Sequence, residues 1–159
     1  MNASDESSPE RWHRFFGASA NNVAWTLAES PAGELDANAL LDAAHAAAWH
    51  WAEVGTELNR MRSRSLLALA HARAGLGKTA LAYSDETRQY LLARAGAADW
   101  EIAMAHAIHA YAASAAGADD VHSRAYADAL RAFEAITRSE DRDVVDSVLR
   151  HVPAPRAKS

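Results

Sequence analysis

Apolar and polar residues follow the period of a helix along almost the whole chain. From Pro9 onward, Trp12, Phe16, Ala20, Val23 and Leu27 recur every three or four positions, the spacing that lays one apolar stripe along an α-helix. Ser8-Pro9-Glu10 supplies a capping side chain, a proline suited to the first turn and an early acid, so a first helix is expected to reach about Glu29. The cluster from Ser30 to Asp36 contains Pro31 and Gly33 and ends on a capping residue. A second helix, about 37 to 53, then turns Leu40, Leu41, Ala44, Ala48 and Trp51 inward. Thr56 caps a third, with Leu58, Met61, Ser65, Leu69 and Ala72 on one side, and Gly75-Leu76-Gly77 ends it. Four more are expected: about Lys78 to Ala95, Asp99 to Ala115, about 120 to 138, and a short one capped by Ser139-Glu140-Asp141 that stops before Pro153. No segment alternates apolar and polar residues as a half-buried strand does. The fold expected is all-α, a single domain over residues 9–152, with disordered tails at 1–8 and 153–159.

Short connections make neighbouring helices antiparallel, so the chain sorts into three helical hairpins and a terminal helix that covers the open end. Placing Gly75 on Gly117 also sets Leu69 on Tyr111, Thr87 on Ala129 and Leu91 on Phe133, an internal repeat of 42 residues. The segment from Leu66 to Arg94 resembles a long tetratricopeptide-type repeat, with Gly75, Ala80 and Tyr83 in the places of its turn glycine, close-packing alanine and bulky residue. NNVAWTL, HAAAWHWAEVGTELNRMR, WEIAMAHAIHAYAASAAG and RSEDRDVVDSVL further resemble landmarks of a bacterial family of tetratricopeptide-like proteins. The resemblance implies antiparallel hairpins wound into a right-handed α–α superhelix. It brings no catalytic role with it.

Composition narrows the functional classes. A net charge of −5 gives no overall basic footprint for nucleic acid or for an anionic membrane. With no cysteine, disulfides, thiolate zinc sites and a cysteine nucleophile are excluded. The start, MNASDESSPE, lacks the basic and apolar regions of a signal peptide, so a cytoplasmic protein is expected. About a quarter of the residues are alanine and the only lysines are Lys78 and Lys158, biases that fit a GC-rich bacterial genome. Whatever its origin, the alanine favours helices whose axes approach closely.

The stretch Ala72-Arg-Ala-Gly-Leu-Gly-Lys78-Thr79 satisfies a relaxed nucleotide-loop pattern. Such a loop needs a strand before it and a helix after it, so that backbone N–H groups converge on the phosphates. Here a helix precedes it, and an inter-helix turn is expected instead. Eight histidines include His106 and His109, placed to share a helix face, and His45 and His50, which diverge by about 140° around one. Neither pair has the accompanying carboxylates of a metal signature, and no metal or cofactor is expected. Asp119, Asp120, Glu140, Asp141 and Asp143 stand near helix starts, where they cap.

The expected activity is therefore binding without catalysis: an interaction module or adaptor for a protein or peptide partner, with exposed apolar faces that would also permit a homodimer. The alternative is a small-molecule or metal-binding sensor. Its candidate pocket is Asn22, Trp25, His45, His50, Trp51, Asn59 and Arg62, polar and aromatic residues that the first three helices can bring together. The same residues have structural readings: Trp25 and Trp51 as core, Asn22 and Asn59 in caps or interhelical hydrogen bonds, Arg62 on a solvated face.

Overall fold

The computed structural model describes residues 8–156, leaving most of the two expected tails outside the described residues. The helices are α1 (Pro9–Ala28), α2 (Ala37–Val54), α3 (Glu57–Arg73), α4 (Gly77–Ala93), α5 (Asp99–Ala115), α6 (Asp119–Ala135) and α7 (Ser139–Leu149), with a 3-10 turn at Ala32–Glu34. No strand occurs among the described residues, and no helix is long and apolar enough to cross a membrane.

Side-chain oxygens satisfy the first N–H groups of α1, α2 and α3, as the cap residues imply. Ser8 Oγ accepts from the Arg11 N–H at 3.3 Å, and Asp36 Oδ1 from the Ala39 N–H at 3.0 Å. Thr56 and Asn59 form a reciprocal capping box, each side chain accepting from the other's backbone N–H. The seventh helix differs from expectation. Ser139 lies inside it, and Arg138 at the N-cap offers no side-chain acceptor, so the first-turn acids Glu140 and Asp141 face the helix dipole instead.

The predicted 42-residue repeat is present. α3, α4, α5 and α6 are each 17 residues long, and Glu57, Gly75 and Gly77 correspond to Asp99, Gly117 and Asp119. Gly75 and Gly117 hold φ of +76° and +69°, the left-handed conformation that closes a helix C-terminus at little cost only for glycine. The same bonds recur behind them: Leu76 N–H to His71 O at 2.8 Å, and Ala118 N–H to Ala113 O at 2.9 Å. Gly77 meets a different constraint. A Cβ there would collide with the Ala115 carbonyl and the Ala116 nitrogen, so the start of α4 lies directly on the end of α5.

Successive hairpins stack so that α1, α3, α5 and α7 form one layer, each touching the next, while α2, α4 and α6 form the other. α3 and α5 are central and are buried nearly all round, from Ser63 to Ala72 and from Ala103 to Ala110. Alanine makes this possible, because it fills the narrow space between closely spaced axes.

One expected stripe is reversed. Trp12, Phe16 and Val23 of α1 are exposed, and the buried positions are Gly17, Ala24 and Ala28. α1 rests on its small residues: a Cβ at Gly17 would stand 3.2 Å from the Trp51 ring. Trp12, Phe15, Phe16 and Trp49 instead form a surface patch of touching rings with His13 and His50, and Phe15 and Trp49 remain 58 % and 59 % exposed. At the other end, residues 153–156 lack regular structure, and His122 Nε2 lies 2.8 Å from the Pro153 carbonyl.

The contact at Gly77 generates a ranking. Gly77→Ala is expected to destabilise the protein by about 3 kcal/mol, because the obstacle is backbone and cannot rotate away. Gly75→Ala, with open space but positive φ, is expected to lose only about 1 kcal/mol. Urea unfolding of both variants checks the order, and equal losses would contradict the close approach of α4 to α5.

Candidate functional site

A recess of about 520 Å³ opens in the layer formed by α1, α3, α5 and α7. Its buried lining comes from the central helices, with Ser65 of α3 and Met104, Ala105 and Ile108 of α5. Trp25 of α1 and Trp100 of α5 are half-buried at its sides, and Val144 of α7 is exposed at its edge. The volume falls within the range of about 300–1,000 Å³ common to ligand pockets. Ser65 is unusual there. Its residue is only 8 % exposed, and its hydroxyl has no hydrogen-bond partner.

One end of the recess is held by a buried carboxylate. Glu101, 4 % exposed, receives Arg62 Nε at 3.0 Å and Nη2 at 2.7 Å on one oxygen. Its other oxygen receives Arg94 Nη1 at 3.3 Å and the Ala98 N–H at 3.1 Å. Burial pushes this carboxyl upward. The hydrogen bonds from Arg62 and Ala98 and the charges of Arg62 and Arg94 together outweigh it and hold the pKa below the usual carboxylate value. Glu101 thus caps α5, ties α3 to α5 across 39 positions of sequence, and fixes Arg62 with its guanidinium 5.6 Å from the centre of the Trp100 ring.

Of the seven residues singled out in the sequence, Trp25 and Arg62 line this recess and the other five do not. Asn21 lines it in place of Asn22, which is exposed and whose carbonyl accepts from Thr26 Oγ1 at 3.0 Å. Asn59 is consumed in the α3 capping box. His45, His50 and Trp51 belong to α2, in the other layer. His45 stands against His71 with ring centres 5.2 Å apart, His50 Nδ1 is 3.0 Å from His13 Nδ1, and Trp51 covers Gly17. Sequence reasoning missed Ser65, Trp100 and Glu101 as site residues. The repeat held a signal for Glu101: it occupies the position of Asn59, third in its helix, where a side chain folds back to cap.

The other chemical leads resolve into structure. Around Gly-Leu-Gly-Lys-Thr the chain runs helix, turn, helix, and the N–H groups of Gly75 and Leu76 are spent on the carbonyls of Ala72 and His71. Lys78 is exposed. His106 Nδ1 accepts from Arg88 Nε at 3.3 Å. His109 Nδ1 lies 3.1 Å from Ser84 Oγ and 3.5 Å from Asp85 Oδ1, a Ser/His/Asp set that does not form a relay. Both partners meet the same ring nitrogen, and Ser84 donates its hydroxyl proton to the Leu81 carbonyl, so Nδ1–H is the donor toward Ser84. Burial lowers both histidine pKa values, with Arg88 pushing the same way. No group of three or more metal-ligating side chains occurs among the described residues.

Glu101→Gln is expected to cost about 2 kcal/mol at pH 7, less than the 3–5 kcal/mol of a wholly buried pair, because Arg62 at 47 % exposure can rehydrate. A carboxyl whose pKa is depressed by folding stabilises above its unfolded value of 4.5 and loses that contribution as pH falls through the folded value. The gap between wild type and variant should therefore close as pH drops below 4.5. His106 and His109, depressed from 6.5, should make both proteins less stable as pH falls below 6.5. Chemical unfolding from pH 8 to pH 3 checks both windows, and a gap unchanged at pH 3 would contradict the role given to Glu101.

In comparisons with known proteins, no family model, no curated protein and no solved structure matches this chain.

Proposed function

We propose that this chain is a noncatalytic interaction module of tetratricopeptide-like type, working in the cytoplasm, and that it receives a segment of a protein partner in the recess between α1, α3, α5 and α7. The observation that carries this reading is the apolar recess itself, with the unpartnered Ser65 hydroxyl among its buried lining. An inserted apolar side chain removes the Trp25, Met104 and Ile108 surfaces from water, and Ser65 meets a polar atom of the inserted group. The repeated hairpins support the reading from the side of architecture, since stacked helix pairs present one layer as a continuous binding face.

A second reading, a sensor for a small molecule, is favoured by one specific feature. α1 and α7 both line the recess, so the site is confined rather than extended along the helical layer. In this reading too, the pocket is the recess rather than the wider His/Trp/Asn cluster.

Val144→Trp separates these readings from a structural role for the space, because Val144 is 48 % exposed and a larger ring there narrows the mouth without entering the core. Twelve-residue peptides selected from a displayed random library on the wild-type protein should lose about tenfold or more in affinity for the variant, a difference of about 1.4 kcal/mol. Unchanged affinity would place binding elsewhere. Native mass spectrometry that instead finds a small molecule on the wild type and not on Val144→Trp would favour the sensor.

A further inference from the structure

The charges around the recess identify the kind of segment it fits. Four ionisable side chains belong to its lining: Glu29 of α1, Arg62 of α3, Glu101 of α5 and Asp143 of α7. Arg62 and Glu101 are committed to each other, and Glu101 also holds Arg94, so this node is already compensated. Glu29 and Asp143 remain. Both are exposed, they come from the helices at opposite ends of the layer, and neither forms an ion pair among the described residues.

The cations nearest Glu29 are otherwise engaged. Arg73 donates to the Ser30 carbonyl and lies 3.5 Å from the Tyr111 hydroxyl. His151 is held below its ordinary pKa by burial and by Arg73 and Arg150, so it is mostly neutral at pH 7 and leaves the Glu29 charge in place. The mouth of the recess is thus an apolar opening with uncompensated negative charge from two helices. Below it, the Ser65 hydroxyl is more than nine-tenths buried and without a partner.

Resting on the reading that a partner segment enters the recess, we infer that this segment is basic and amphipathic: one bulky apolar residue seated against Trp25, Met104 and Ile108, flanked within a residue or two by lysine or arginine. The flanking cations face Glu29 on one side and Asp143 on the other, and Ser65 hydrogen-bonds a backbone amide of the inserted residue. An acidic segment is rejected twice, by repulsion from these two carboxylates and because Arg62, tied to Glu101, is not free to compensate it.

The test uses three dye-labelled, end-blocked nine-residue peptides with a central phenylalanine, whose flanking positions are all lysine, all serine or all glutamate. Binding is read by fluorescence polarisation on the full chain, on Val144→Trp, and on the double variant Glu29→Gln with Asp143→Asn. Both of those acids are exposed, so the double variant should keep its fold, as a thermal melt would check. The lysine peptide is expected to bind about tenfold or more tighter than the serine peptide at low salt, and the glutamate peptide more weakly than either. The lysine advantage should vanish in the double variant and shrink at high salt, while Val144→Trp weakens lysine and serine peptides alike. Lysine and serine peptides of equal affinity that both weaken in Val144→Trp would overturn the charge inference and leave the recess as the binding site. Lysine binding that ignores Val144→Trp would show adhesion to an acidic chain and overturn the inference. If no peptide responds to Val144→Trp, the reading of the recess fails with it.

Discussion

Close approach of backbones in the middle of the stack is the constraint from which the rest follows. Gly77 leaves no room for a Cβ against Ala115 and Ala116, and the facing stretches of α3 and α5 are buried almost without a break. Helices this near can be separated only by alanine-sized groups, so the larger side chains are displaced to the flanks of the layer. Trp25, Trp100, Met104 and Ile108 meet at such a flank, where their unequal shapes leave the recess. The cavity is thus a consequence of the same small residues that fill the centre.

How much of this is legible in the sequence depends on whether the cause is local. Gly75 and Gly117 announce their turns because positive φ is a property of a single residue, and their spacing gives the repeat directly. Thr56 and Asn59 announce a cap for the same reason. The α1 stripe misleads because periodicity places residues on a common face without saying which face meets a neighbour. The aromatic face of α1 is the more hydrophobic, yet the face of Gly17, Ala24 and Ala28 is the one that lets α2 come close.

The candidate site was half legible for a related reason. Trp25 and Arg62 stood out by residue type, and both do line the recess. His45, His50 and Trp51 stood out equally, but which layer a helix joins is decided by the alternation of the hairpins, and α2 falls in the layer away from the recess. Glu101 was invisible as a site residue because its partners Arg62 and Arg94 reach it only through the tertiary fold. Ser65 was visible as a member of an apolar face, but the absence of a hydrogen-bond partner is a property of its surroundings alone.

The Glu101 node also limits what the recess can recognise. A lone arginine beside an apolar pocket would ordinarily invite a carboxylate, since guanidinium and carboxylate match as paired donors and acceptors. Here that pairing is already made inside the protein, and breaking it would strip α5 of a capping acceptor and leave a buried carboxylate with less compensation. Arg62 is therefore spent on holding α3 to α5 and on lying near Trp100. The groups left to discriminate among ligands are Ser65 in the buried lining and the acids Glu29 and Asp143. Stability has claimed the cation, and the selectivity that remains is for apolar shape and for positive charge.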